Sequence, residues 1–171
     1  MELHRLIRDV PDFPSAGVMF KDITPLLANA EALADAVDAM AEPFVGSRVN
    51  VVAGIEARGF LFGPLIAQRL QVGFVQLRKP GKLPSDVLAM SYDLEYGSDS
   101  LEIQRDSVSD DSQVLLADDV LATGGTLRAG IDLIELAGAN VVAASVLIEL
   151  VALGGAARVA PTILHSVIEV K

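Results

Sequence analysis

The chain has 171 residues, 51% of them hydrophobic, with a mean hydropathy of +0.46, enough to bury the core of one domain of ordinary size. Its formal net charge is −10, which argues against sequence-independent nucleic-acid binding, because that needs a Lys/Arg footprint to displace counterions. There is no cysteine, so disulfides and thiolate metal sites are excluded, and no apolar run approaches the roughly 20 residues of a membrane span.

The first stretch, MELHRLIRDVPDF, carries charges where a signal peptide would need its apolar segment. The expectation is therefore a single cytoplasmic domain over 1–171 with no membrane or nucleic-acid partner. Residues 11–27, PDFPSAGVMFKDITPLL, hold three prolines and two phenylalanines without clear periodicity. EALADAVDAMAEPF (31–44) has the spacing of an amphipathic helix closed near Pro43. VNVVAGI (49–55) is a nearly unbroken apolar run rich in β-branched residues. It predicts a strand covered on both faces of a parallel sheet. Helix-like spacing follows in FLFGPLIAQRL (60–70), then a second strand in VGFVQLR (72–78). AMSYDLEYGSDSLEIQRD (89–106) alternates on either side of Gly97-Ser98 and predicts a β-hairpin. QVLLAD (113–118) is a third strand. In TLRAGIDLIELAG (126–138) Leu127, Ile131, Leu133, Ile134 and Leu136 recur at about every turn, and Gly138 supplies a helix stop. VVAASVLIEL (141–150) is a fourth strand. The alternation predicts an α/β fold, a mainly parallel twisted sheet flanked by helices. Ligands of such sheets lie beyond the carboxyl ends of the strands, so the irregular 11–27 segment and the 89–106 hairpin are expected to cap that edge.

Residues 114–126, VLLADDVLATGGT, run from a strand end into a helix start. Consecutive amides in such a turn form a nest for an anion, and the helix N-terminus adds positive partial charge. Gly124 and Gly125 permit close backbone approach, while Thr123 and Thr126 offer hydroxyls. Neither a Walker A loop nor a dinucleotide fingerprint is present, so the nest suits a single terminal phosphate. The alternative is an ordinary βα turn with Thr126 as helix N-cap. Asp118 and Asp119 would repel that phosphate, but carboxylates also accept hydrogen bonds from vicinal hydroxyls, as in ribose recognition. Together the two features describe a ribose 5-phosphate; an acid pair for a metal is the other reading. Arg78, Lys79 and Lys82 fall within five positions, and Arg58 stands beside Gly59. They are either cations reserved for an anionic ligand or solvated loop charges.

VLLADDVLATGGT resembles the phosphoribosyl pyrophosphate (PRPP) signature of the type I phosphoribosyltransferases. With PDFPSAGVMFKDITPLL, AGIEARGFLFGPLIAQRL, RKPGKLP and SYDLEYGSDSLEIQ, the chain from about Pro11 to Leu150 is similar to the adenine phosphoribosyltransferase family. That resemblance implies the type I fold, with a small base-binding hood over about 11–27 and a flexible catalytic hairpin over about 89–106. It implies adenine plus PRPP giving AMP and pyrophosphate in purine salvage, with Mg²⁺ held mainly by PRPP and water rather than by protein ligands, in a homodimer.

Residue by residue, the resemblance assigns Ala122, Thr123, Gly124, Gly125 and Thr126 to the 5′-phosphate and Asp118 and Asp119 to the ribose hydroxyls. Arg58, Gly59, Arg78, Lys79, Lys82 and Tyr96 are assigned to the pyrophosphate. Met19, Phe20, Lys21 and Leu150 are assigned to adenine: Phe20 for stacking, the backbone of Met19 and Lys21 for the Watson–Crick edge, and Leu150 with Ala122 as the floor. Glu95, acting at adenine N7, and Arg58 are the catalytic residues it implies. Lys21 departs from an arginine common in the family, which matters only where that side chain, rather than the backbone, reads the base. Salvage of hypoxanthine or guanine, and a non-catalytic nucleotide sensor, are the competing readings; LEYG, FPSAGVMFKD and the acidic charge count against them. His4 and His165 have no motif around them and read as structural.

Overall fold

The computed structural model describes residues 2–93 and 98–171. After a 3-10 turn at Leu3–Leu6, strands β1 (Arg8–Pro11) and β2 (Met19–Asp22) pair antiparallel, Asp9 opposite Lys21 and Val10 opposite Phe20. The irregular N-terminal segment is thus half of a small ribbon that its prolines and glycine conceal from a periodicity search. A short helix α1 (Thr24–Leu27) leads into α2 (Ala30–Ala41). The Asn29 side chain starts α2 by accepting hydrogen bonds from the amides of Glu31 and Ala32, both at 3.1 Å.

The central sheet is built from β3 (Val51–Ile55), β4 (Gly73–Leu77), β7 (Gln113–Leu121), β8 (Asn140–Leu150) and β9 (Ile163–Val170). All neighbours are parallel, in the order β4-β3-β7-β8-β9. The strands β5 (Val87–Asp93) and β6 (Ser98–Gln104) pair as the arms of a hairpin, as expected, but Ser98 already belongs to β6 opposite Asp93 and Tyr92 stands opposite Asp99, so the register is centred two residues before Gly97-Ser98. Helices α3 (Gly63–Leu70), α4 (Gly125–Leu136) and the short α5 (Gly155–Val159) complete the chain. The expected four strands and three helices are all present. A fifth strand, β9, was not expected: His165 and Ser166 interrupt its apolar pattern, and the strand lies at the sheet edge, half-buried.

β7 explains why its sequence is apolar without a break. Val114 and Leu116 face a cluster with Leu127, Ile131 and Ile134 of α4 and Leu101 and Ile103 of the hairpin. Leu115 and Ala117 face the opposite cluster with Met40 of α2 and Ile66 of α3. Alternate side chains therefore enter alternate layers, as a doubly covered strand requires. Ser145 on β8 is fully buried, and its hydroxyl donates to the Met40 carbonyl at 2.9 Å, tying α2 to the sheet. His165 contacts the Ala39 carbonyl at 2.9 Å and stands edge-on to Phe44, a structural setting. The base of the hairpin is tied to the end of β4, where Arg78 and Glu102 exchange main-chain hydrogen bonds at 2.9 and 2.7 Å. The hairpin arms therefore pack against α4 and beside the end of β4, with Tyr92 and Asp99 reaching the carboxyl ends of β3 and β7.

Candidate active site

The two acids sit near the end of β7, before its last paired residues and the turn into α4. Helix α4 begins at Gly125, and Gly124 before it is left-handed at φ +81. No side chain caps this helix, so the reading of Thr126 as N-cap does not apply; Thr126 lies inside the first turn. Its amides remain available to a ligand, and the helix dipole favours an anion there. A cavity of about 170 Å³ is lined by Asp118 and by residues 120–127, including Ala122, Thr123, Gly124, Gly125 and Thr126.

A second cavity, about 310 Å³, shares Asp118, Val120 and Thr126 with the first and is lined further by Glu56, Arg58, Lys79, Tyr92, Asp99 and Asp119. The acid pair therefore stands between an amide-lined pocket and a charged one. Burial pushes the Asp118 carboxyl well above its ordinary value, and the neighbouring Asp119 charge adds to that. Burial also raises Asp119, against the opposing pull of Arg58. Asp118 accepts a hydrogen bond from the Asp119 amide at 2.9 Å. Asp119 is 3% exposed and ion-paired to Arg58, while its buried Oδ2 has no hydrogen bond of good geometry.

Arg58, at the head of a 3-10 turn after β3, reaches toward the N-terminal ribbon as well as the acids. Its guanidinium donates to the Lys21 carbonyl at 3.1 Å and lies 4.9 Å from the centroid of the Phe20 ring. Gly59 is buried against β7: a Cβ there would stand 2.8 Å from the Ala117 carbonyl and 3.1 Å from Asp118 Oδ1. Phe20 is itself packed edge-on to Phe13 at 5.0 Å. The Lys21 ammonium pairs with Asp9 at 2.6 Å, so its side chain is turned to the neighbouring strand and its carbonyl faces the site. Met19 is half exposed at the start of β2, and Leu150 ends β8, one residue past the Leu121–Glu149 pair.

The cations of 78–82 gather on Glu56. Arg78 Nε donates to this carboxylate at 3.2 Å, the Lys79 amide at 2.9 Å and the Lys82 ammonium at 3.0 Å. Burial alone would raise Glu56, but these partners outweigh it and hold the carboxyl at about 2. The Lys79 ammonium is ion-paired to Asp99 and 2.8 Å from the Tyr92 hydroxyl. Burial works against the Lys79 charge, yet Asp99 and Tyr92 raise its pKa, while the Lys79 hydrogen bond lowers that of Asp99. Glu95 and Tyr96 lie outside the described residues.

The phosphoribosyl transferase domain family model matches residues 22–162. The chain is 56% identical over 158 residues to the adenine phosphoribosyltransferase of Thermobifida fusca, covering 92% of this chain and 90% of that protein. It is 53% identical over 169 residues to the enzyme of the same name from Rhodopirellula baltica, covering 99% and 82%. The chain belongs to the adenine phosphoribosyltransferase family. The crystal structure of the Giardia lamblia family member, complexed with 9-deazaadenine, superposes with a TM-score of 0.95 at 42% identity, covering 99% of this chain and 97% of that one. As an adenine phosphoribosyltransferase, the chain transfers the 5-phosphoribosyl group of PRPP to adenine and releases AMP and pyrophosphate.

For a member of this family, the structure adds three site residues that sequence reading missed: Glu56, Tyr92 and Asp99. Glu56 had a local signal, an acid directly after a buried strand and two residues before Arg58. Tyr92 and Asp99 had none, since a hairpin centred on Gly97-Ser98 would set Tyr92 opposite Ile103, whereas the observed register sets it opposite Asp99. What no local pattern supplies is that both acids bind Lys79, at least 20 residues away in sequence.

Proposed function

We propose that the contiguous cavities divide PRPP between them, with the 5′-phosphate on the amides of 123–126, the ribose hydroxyls on Asp118 and Asp119, and the diphosphate toward Arg58, Lys79, Arg78 and Lys82. The sharing of Asp118, Val120 and Thr126 by an amide-lined and a charge-lined pocket is the observation that carries this reading. A ribose placed across the shared wall directs its anomeric carbon into the larger cavity, where the leaving group meets cations. Adenine stacks on Phe20 and is read by the backbone around Met19 and Lys21. The engagement of the Lys21 side chain by Asp9 supports that backbone readout. Glu95 handles the proton at adenine N7, a role typically worth about 10²–10⁴ in rate, and the family resemblance gives Tyr96 to the pyrophosphate.

Displacement at the anomeric carbon passes through an oxocarbenium-like state, as in glycoside chemistry. The C1–O bond to pyrophosphate breaks as the adenine N9–C1 bond forms, and the electron pair leaves on the pyrophosphate oxygen. Asp118 and Asp119 orient the sugar, while Lys79 and Arg58 stabilise charge on the departing group. Among the described residues no three His, Cys, Asp or Glu side chains come together as a metal site. In the larger cavity Glu56 is already paired with Arg78 and Lys82, Asp99 with Lys79 and Asp119 with Arg58, which leaves the Asp118 carboxyl beside Asp119 as the part of the lining open to a cation. Asp118 and Asp119 would fit Mg²⁺ that came with PRPP and was held mainly by substrate oxygens and water. When bound it supplies neutralisation of the phosphate charge.

A homodimer fits an apolar groove of about 360 Å³ between α2 and α3, lined in part by Leu33, Val37 and Leu65; the absence of cysteine fits a reducing, cytoplasmic setting. A panel of adenine, hypoxanthine and guanine with PRPP and Mg²⁺, followed by pyrophosphate release, tests the base assignment. Adenine alone turning over rapidly is expected, and equal use of hypoxanthine contradicts it. Glu95→Ala should lose at least about 10²-fold in turnover; unchanged turnover would remove Glu95 from the mechanism.

A further inference from the structure

We infer that Asp99 competes with pyrophosphate for Lys79, so that this hairpin carboxylate loosens the enzyme's hold on its departing product. The inference rests on the reading of Lys79 as a diphosphate ligand. Lys79 has its backbone fixed, because its amide donates to Glu56 at 2.9 Å, while its ammonium is committed elsewhere. Of the three ammonium donors, one meets Asp99 and one the Tyr92 hydroxyl at 2.8 Å. Both partners stand on the hairpin, opposite each other across the β5–β6 ladder.

Asp99 is oriented from within its own hairpin. Its other oxygen accepts from the Ser100 amide at 2.7 Å, and Tyr92, which donates to Asp99 at 3.3 Å, is 8% exposed. An ammonium that turns to a phosphate oxygen therefore leaves a carboxylate behind in the same cavity as a polyanion. The Lys79–Asp99 pair is also the exchangeable one. Its side chains are 32% and 31% exposed, whereas Asp119 in the Arg58 pair is 4% exposed and Glu56 10%. A partly exposed ion pair is weak enough for a ligand of higher charge to displace it, and its competition is felt as about a 2–5-fold change in affinity. A product that must be gripped in the transition state and then released benefits from such a built-in rival.

The test is product inhibition by pyrophosphate, measured against PRPP with the full enzyme. Asp99→Asn should lower the pyrophosphate inhibition constant about 2–5-fold, with the KM for adenine unchanged. Asp99→Glu should restore the wild-type constant. In a Lys79→Met background the Asp99→Asn change should tighten pyrophosphate less than in the wild type, because only the direct repulsion between Asp99 and the polyanion is then relieved, and the difference is the coupling between the two residues. Asp99→Ser gives the same readout without an amide, and thermal melting of each variant checks the fold. Tightening in both variants supports the inference. Unchanged or weaker pyrophosphate binding overturns it, including a general loss of folding, which weakens every ligand together. Lys79→Met that leaves pyrophosphate inhibition untouched instead removes Lys79 from the diphosphate site.

Discussion

Replacing Gly124 by alanine should damage phosphate binding far more than a surface glycine change elsewhere. Gly124 is left-handed at φ +81, and a Cβ there would stand 2.7 Å from the Gly155 carbonyl oxygen and 3.1 Å from Arg158 Cβ. The left-handed conformation costs an alanine about 1–2 kcal/mol. Overpacking against backbone that cannot swing aside adds about 1–3 kcal/mol. The sum, about 2–5 kcal/mol, is a large share of the ~5–15 kcal/mol that holds a typical domain folded. Relief of the clash moves the α4 N-terminus from α5 and misaims the amides of the nest. Loss of one charge-assisted hydrogen bond to phosphate, about 1.5–3 kcal/mol, corresponds to roughly a 10–100-fold fall in kcat/KM for PRPP. Gly138→Ala is the control, because Gly138 is also left-handed at φ +94 but a Cβ meets nothing within 4 Å. Urea unfolding and initial rates of pyrophosphate release on both variants separate the contributions. The control should lose about 1–2 kcal/mol of stability and keep wild-type kinetics. Gly124→Ala with a wild-type KM for PRPP, or with no greater stability loss than the control, would refute the reasoning.

Glu56→Gln should loosen the 78–82 segment and remove an acid-sensitive part of stability. The Glu56 carboxyl ionises near 2 when folded against an ordinary value of 4.5. A depressed folded value gives stability that is fully present above pH 4.5 and fades as pH falls toward 2. After solvent screening this amounts to about 1–2 kcal/mol. The wild type should exceed the variant by that amount in urea unfolding at pH 7 and converge on it in acid; an equal gap at both pH values contradicts the assignment. Ser145→Ala leaves the buried Met40 carbonyl without its donor and should lower the denaturation midpoint by the equivalent of about 1–3 kcal/mol, with kinetics unchanged. An unchanged midpoint would show that the bond contributes nothing net.

Local chemistry made most of this architecture legible before any coordinates. The run VNVVAGI and the run QVLLAD had to be covered strands, because an unbroken apolar strand has no face to show water. The turn after Asp119 was legible because paired glycines between a strand and a helix have few other uses. β9 was not legible, since its pairing partner β8 supplies the order that ILHSVIEV, with His165 and Ser166 in it, does not display alone. The N-terminal ribbon was hidden for a similar reason: its pairing joins residues 8–11 to 19–22 across a proline-rich loop.

Charge pairing was the least legible part. The sequence marked Arg58, Arg78, Lys79 and Lys82 as cations for a ligand. It carried no sign that Asp119, Glu56 and Asp99 pair with them in the folded chain. Those partners come from β7, from the residue after β3 and from the turn end of the hairpin, brought together only when the hairpin meets the carboxyl ends of β3 and β7. On the proposed division of PRPP, the diphosphate competes with these internal carboxylates for the same cations.

A crystal structure with AMP bound bears most directly on the division of the site. The phosphate should lie about 3 Å from the amides of residues 123–126, with the ribose hydroxyls on Asp118 and Asp119 and the purine on Phe20. A phosphate seated instead on Arg78 and Lys82, or a purine away from Phe20, would contradict it.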